Sequence, residues 1–386
     1  MTVLDTARDL APRFAQRAAG YDRDGAFPAD DFADLRAAGL LGLMTPARLG
    51  GAGAGFADYT EVALELARGS GATALVFNMH ASVTGALAHI PDELAHALGV
   101  PDWFFQARDR ILADAVDGAL YAVAMSERGV GSRLTQLSTV YAPEGAGYRI
   151  KGRKAFVSGA GHADAYLIAA RSSENPEQVS QFLAPAGDGL TVEQTWDSLG
   201  MRATASHDLD VDVAVPREAL LGGLEGLAVL AAQLMPQWQV ASYAAVYAAV
   251  AQAAVDAAVA HVAGRPAAQL PAVRARIGRA DAATAAARLA VREAAKRVDA
   301  APGDPETNRW VWRAKLLAGQ TAMEVAASML EAAGASATRR GNPLERLYRD
   351  ARCGALQPAT SDVCADFLGV SALGADPYAE GVAPRW

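Results

Sequence analysis

Apolar residues in the first third of the chain recur three and four positions apart, the spacing that lines one face of a helix. Phe32, Leu35, Ala38 and Leu41 follow Pro28, Asp30 and Asp31, a combination that marks a helix start. The glycine-rich run 50–55 breaks the pattern, and further helices are predicted over 56–69 and 72–89. At Tyr121 the period shortens to two, the signature of strands. Short alternating or β-branched segments at 121–125, 138–141, 148–150, 165–170, 181–183, 190–194 and 209–215 are separated by Gly, Pro, Asn and Ser. Such spacing predicts a compact antiparallel barrel or sandwich. Beyond Pro216 the helical period returns. Alanine-rich amphipathic stretches at 227–263, 270–300, 305–333 and 344–355 predict four packed helices.

The predicted fold class is therefore α+β, in the order helices, β domain, helical bundle. Expected boundaries are an N-terminal α-helical domain over 1–118, a middle β domain over 119–222, a C-terminal four-helix bundle over 223–372 and an arm over 373–386. The longest apolar stretch, 239–255, is alanine-rich and flanked by helix, and reads as a buried bundle helix rather than a membrane span. Alanine faces permit close helix approach, which also suits oligomerisation.

Composition narrows the function classes. The 386 residues are 52% hydrophobic and 20% charged, an ordinary globular balance, and a net charge of −8 without a basic cluster argues against a nucleic-acid partner. The N-terminal residues carry charges at helical spacing and no signal-peptide core, so a cytoplasmic protein is expected. Cys353 and Cys364 lie near no histidine at ligand spacing, so neither a metal site nor a disulfide framework is expected.

Candidate chemistry lies in two turns of the β region, MSERGVGSR from Met125 to Arg133 and KAFVSGAGH from Lys154 to His162. A flavin ring needs hydrogen-bond partners on its pyrimidine edge and N5, donors for its phosphates, and an apolar wall. Glycine permits the close backbone approach such a ligand requires. Taken singly, Ser126, Ser132 and Ser158 read as ordinary turn serines. Together, and with LGMRATAS at 199–206 and VPREALLG at 215–222, they resemble the acyl-CoA dehydrogenase superfamily of flavoproteins over nearly the whole chain.

That resemblance implies the fold and assigns the site. Met125 and Ser126 match the hydrophobic-Thr pair of the family's T-E-P-x-x-G-S-D motif, and Gly131 and Ser132 match its Gly-Ser. Arg128 replaces the proline and Arg133 the aspartate. Phe156 and Ser158 match the aromatic-x-Thr pair beside the ring. The implied cofactor is FAD. FMN is the alternative, because the motifs that reach the adenine end are reduced to Gly264 beside Arg265 and to EAAGA at 331–335.

The same resemblance leaves the reaction open. Dehydrogenation of an acyl thioester needs a carboxylate to remove the α-proton. Arg349-Asp350 matches the family's R-D motif, but the position of the following glutamate falls at Pro358, and the alternative glutamate position falls near Gln239. Neither can act as a base. The F-x-S-G-x-x-H-x-D context of Phe156 to Asp164 and the GNPLERLYRD segment at 341–350 resemble instead the superfamily's flavin-dependent monooxygenase branch, which uses reduced flavin and O2. By that resemblance His80 and Gln357 are candidate catalytic residues, and Trp238, Gln239 and Tyr243 candidate pocket residues. A packed helix histidine is the alternative for His80, core packing for Trp238 and Tyr243, and a structural role for His162. Expected partners are a small-molecule or acyl-thioester substrate, a flavin reductase, and further copies in a homodimer or homotetramer. Three readings follow: a monooxygenase, an acyl-thioester dehydrogenase with an unrecognised base, or a catalytically degenerate binding subunit.

Overall fold

The structure, a computed structural model, describes residues 2–379. The first helices are α1 (Val3–Asp24), α2 (Ala29–Ala37), α3 (Phe56–Gly69), α4 (Gly71–Ala88), α5 (Asp92–Ala97) and α6 (Asp102–Val116). Thr2 and Asp5 form a reciprocal capping box that starts α1, and Gly25, at φ +62°, ends it. Between them Ala7, Leu10, Phe14 and Ala18 bury one face. Helix α4 differs: it is buried almost all round, including Asn78, His80, Ser82 and Thr84.

Strands β1 (Tyr121–Ala124), β2 (Val140–Glu144), β3 (Gly147–Val157), β4 (Ala165–Ser172), β5 (Val179–Pro185), β6 (Leu190–Glu193) and β7 (His207–Pro216) form one sheet. The order is β1-β4-β2-β3-β7-β6, with β5 on the other edge of β4. The sheet is mixed rather than wholly antiparallel. β4 runs parallel to β1, Tyr121 opposite Ala165, and touches β2 in parallel at Tyr141 and Ser172. The β2–β3 hairpin lies between β1 and β4 in sequence, so β4 returns by a crossover and not by a turn.

The C-terminal helices are α7 (Leu227–Leu234), α8 (Ala241–Val262), α9 (Pro271–Ala300), α10 (Pro305–Ala333), α11 (Pro343–Arg352) and α12 (Ser361–Ala372). Two features depart from the expected four helices. The stretch 227–263 is not continuous: Pro236, which has no N–H to donate, opens a short 3₁₀ turn through Trp238 that separates α7 from α8. And α12 packs onto α10, with Phe367 stacked on Trp312 at 4.4 Å between ring centroids. Central α8 buries Ala244, Ala245, Ala248, Ala249, Ala251 and Ala254 completely, so neighbouring backbones approach closely. The stretch Pro236–Val262 is long and apolar enough to cross a bilayer, but most of it is buried inside the protein. Of the expected arm, Tyr378 packs edge-on against Phe367, and the part from residue 380 lies outside the described residues.

Candidate active site

The two glycine-bearing turns are held together from beneath. Lys154 on β3 donates to Glu127 at 2.8 Å and to the Met125 carbonyl at 3.4 Å. Glu127 also accepts from the Ser138 N–H at 2.7 Å, the Ser138 hydroxyl at 2.6 Å and the Thr139 N–H at 3.0 Å. The Ala155 N–H adds a backbone bond to Ser126 at 2.8 Å. Both charged groups are buried. Burial alone would raise the Glu127 carboxyl, but the adjacent ammonium and the three other donors outweigh it and hold it at about 2. Burial lowers the Lys154 ammonium to about 8 against the pull of Glu127.

Immediately after Lys154 the β3–β7 register shifts, and Phe156 stands in this bulge at φ +59°. A left-handed aromatic residue costs about 1–3 kcal/mol and persists only where its surroundings impose it. Here the bulge turns the ring outward, 56% exposed, with Trp196 edge-on at 6.2 Å. Ser158, two residues on, turns inward. Its hydroxyl joins Ser206 at 2.9 Å, and Ser206 joins Thr204 at 2.6 Å.

The segment 199–205 is pinned by the Arg349-Asp350 pair of α11. Asp350 accepts the Met201 N–H at 2.6 Å. Arg349 donates to the Leu199 carbonyl at 3.0 Å, to Asp22 of α1 at 2.5 and 2.9 Å and to Glu345 at 2.7 Å. A Cβ at Gly200 would lie 2.2 Å from the Arg349 carbonyl oxygen, so only glycine permits this approach. The R-D motif thus joins α1, the β domain and the bundle.

Above the turns lies a cavity of about 100 Å³. Met125, Ser126, Ser132 and Phe156 form its β-domain wall. Met79, Ser82 and Ala86 line it from α4, Trp238, Gln239 and Tyr243 from the α7–α8 break and the start of α8, and Pro358 from the loop before α12. None of the lining residues is Asp, Glu, Lys, Arg or His. The two positions matched to the family's glutamate, Gln239 and Pro358, meet in this one wall although they lie 119 positions apart. A wider groove of about 720 Å³, lined by Arg36, Arg110, Asp114, Asp117 and Glu218, is open to solvent and contains none of the candidate residues.

Seven sequence-selected residues are therefore brought together: Met125, Ser126, Ser132, Phe156, Trp238, Gln239 and Tyr243. Gly131 sits in the adjoining turn, where its N–H and carbonyl pair with Glu127 at 2.9 Å and a Cβ would meet open space. Three candidates, His80, Gln357 and Ser158, do not reach the cavity. His80 is buried with both ring nitrogens engaged, Nε2 with the Leu41 carbonyl at 2.7 Å and Nδ1 accepting the Tyr121 N–H at 3.1 Å. Burial pushes its pKa down to about 4, so it is a neutral packing histidine. Gln357 accepts the Tyr247 hydroxyl at 2.5 Å, behind the wall that Pro358 forms. Ser158 is engaged with Ser206 and outside the lining, and His162 stacks on Phe27 at 4.0 Å. Met79, Ser82 and Gln181 line the cavity without having been selected from the sequence. On α4 the lining positions are 79, 82 and 86, a helical stripe from which His80 is rotated by about 100°.

The donor set fits a flavin. Among the described residues neither the Ser126 nor the Ser132 hydroxyl has a partner, and the exposed Phe156 ring supplies a wall beside them. Comparison with known proteins agrees. The acyl-CoA dehydrogenase N-terminal, middle and C-terminal domain families match residues 2–93, 122–213 and 225–369. The L-evernosamine nitrososynthase of a Micromonospora species is 33% identical over 97% of this chain and 90% of its own. The cyclohex-1-ene-1-carbonyl-CoA dehydrogenase of Geobacter metallireducens is 30% identical over 93% of this chain and 94% of its own. The FMN-bound structure of the dibenzothiophene monooxygenase TdsC from a Paenibacillus species superposes with a TM-score of 0.84 at 26% identity, covering 97% of this chain and 98% of that one. The chain belongs to the acyl-CoA dehydrogenase superfamily of flavin-dependent oxidoreductases.

Proposed function

We propose that this protein is a monooxygenase of that superfamily, using reduced flavin and O2, and not an acyl-thioester dehydrogenase. The observation that carries the reading is the wall shared by Gln239 and Pro358, which has no carboxylate at either position from which an α-proton could be taken. The likeness to a nitrososynthase and to a dibenzothiophene monooxygenase points the same way.

In this reading Met125, Ser126, Gly131, Ser132 and Phe156 hold the flavin, FMN or FAD, which supplies the reducing electrons for oxygen activation. The Ser126 and Ser132 hydroxyls donate to its polar edge and phosphate. Phe156 covers one side, and the buried Lys154–Glu127 pair keeps the two turns at a constant separation. No charged side chain lines the cavity, and an oxygen-transferring site would need water kept out of it. A separate flavin reductase would supply the electrons, and the active form would be a cytoplasmic homodimer or homotetramer acting on a small molecule.

Rapid mixing of the reduced, flavin-loaded protein with oxygenated buffer, with and without candidate substrate, tests the proposal. A distinct spectral phase between reduced and oxidised flavin is expected. Anaerobic bleaching of the oxidised flavin by an acyl thioester would establish the dehydrogenase instead, and failure to bind flavin would indicate a non-catalytic subunit.

A further inference from the structure

The cavity is rich in hydrogen-bond donors that lack good acceptors. The Tyr243 hydroxyl reaches only the Met79 thioether, at 3.7 Å, and the Gln181 amide only the Met125 thioether, at 3.8 Å. Sulfur of this kind is a weak acceptor. By contrast the Ser82 hydroxyl, in the same wall, is satisfied by the Asn78 and Trp238 carbonyls at 2.8 and 2.7 Å. Burial also raises the pKa of Tyr243, so it remains a protonated donor at neutral pH. A donor left with so weak an acceptor calls for an explanation, and a ligand oxygen supplies one.

Size and charge restrict that ligand. An apolar cavity of about 150 Å³ admits benzene, and this one, at about 100 Å³, has the adaptable side chains of Met79, Met125 and Met235 in its walls. With the flavin against the Ser126, Ser132 and Phe156 wall, only a compact ligand fits on the Tyr243 side. No cationic side chain lines the cavity to pair with an anion, and no carboxylate to pair with a cation.

We propose that this cavity binds a neutral, compact, largely apolar molecule carrying a carbonyl or ether oxygen, and that the Tyr243 hydroxyl donates to that oxygen. The proposal rests on the flavin-site reading above and assigns its substrate class.

The test is an anaerobic titration of the oxidised, flavin-loaded protein with acetophenone, with ethylbenzene of nearly the same shape, and with benzoate, followed by the flavin difference spectrum and calorimetry. Acetophenone is expected to bind about five- to tenfold more tightly than ethylbenzene, the worth of one hydrogen bond, and benzoate most weakly. Tyr243→Phe should abolish the preference while leaving ethylbenzene and flavin affinities unchanged. Equal binding of the two neutral probes by the wild type, tightest binding of benzoate, or no binding of any probe would overturn the proposal. So would a preference that survives Tyr243→Phe. If that variant loses flavin, the wild-type ratio of ketone to hydrocarbon decides alone. Because the titration contains no O2, its outcome is independent of the oxygen-mixing experiment, and either proposal can fail while the other stands.

Discussion

Lys154 and Glu127 form a buried ion pair directly beneath the two turns assigned to the flavin, 2.8 Å apart and both almost without solvent contact. A buried pair is a poor source of net stability, because desolvating both charges offsets most of their attraction. Its value here is geometric. Glu127 belongs to the first turn and Lys154 opens the second; Lys154 also donates to the Met125 carbonyl of the first turn, and Glu127 accepts from Ser138 and Thr139 at the approach to β2.

Breaking the pair on one side should therefore be costly. Glu127→Gln leaves the Lys154 ammonium buried opposite a neutral amide, and a loss of about 3–5 kcal/mol is expected, readable by urea unfolding at pH 7. The sign with pH follows from the depressed carboxyl. Its contribution is complete above its ordinary pKa of 4.5 and disappears as pH falls toward about 2. The gap between wild type and variant should narrow over that window; a constant gap would mean that lost packing, not lost charge, causes the defect.

His80 gives a second pH dependence at a higher window. Its folded-state pKa of about 4 lies below the usual 6.5, so the unfolded chain takes up the proton first. Stability from the neutral ring is complete above pH 6.5 and is lost as pH falls toward 4, by about 3 kcal/mol in total. His80→Gln can still accept from Tyr121 and donate to Leu41 but does not titrate. The variant should be less stable than wild type at pH 7.5 by about 1–2 kcal/mol and show a flatter decline between 6.5 and 4. An unchanged slope would remove His80 as the source.

Why His80 drew attention, and Met79 and Ser82 did not, is a matter of phase. Periodicity locates the three-layer order of helices, strands and helices because most of the elements bury one face only. Helix α4 buries every face, so no polar stripe shows which side meets the cavity. A histidine in apolar surroundings then attracts a catalytic reading that its two hydrogen bonds dispel. The two turns proposed to hold the flavin could be picked out because they are local: Met125 to Ser132 and Phe156 lie on short glycine-bearing segments. Gln357 was not, since its role depends on Tyr247, 110 positions away. The break at Pro236 was not read from the sequence, because the apolar run continues through it and hides the turn that brings Trp238 and Gln239 into the wall.

Phe156 separates stability from function. At φ +59° a glycine would relieve the strain, but it would also lose backbone entropy on folding, and each effect is worth about 1 kcal/mol. Phe156→Gly should thus leave the melting temperature nearly unchanged. Flavin affinity should fall at least about tenfold, since stacking and burial against an aromatic wall are worth about 1.5 kcal/mol. Equilibrium dialysis with FMN and FAD measures this. Loss of stability with unaltered flavin affinity would make the ring a packing element for Trp196 instead.

Gly85 tests the shape of the cavity through a contest of two effects. In an exposed helix Gly→Ala gains about 1 kcal/mol from propensity. In α4, however, a Cβ at Gly85 would lie 2.2 Å from the Trp238 ring, a distance no relaxed structure tolerates. The ring is hemmed in by Phe56 edge-on at 5.1 Å and by His89 at 5.8 Å, so it has to move toward the cavity. Overpacking of this kind costs about 1–3 kcal/mol and should outweigh the helical gain. Gly85→Ala is therefore expected to lower the unfolding midpoint and, by pushing Trp238 into a volume of about 100 Å³, to weaken binding of any ring-sized ligand more than it weakens flavin binding. A more stable variant with undiminished ligand affinity would show that Trp238 has room to retreat and does not set the size of the site.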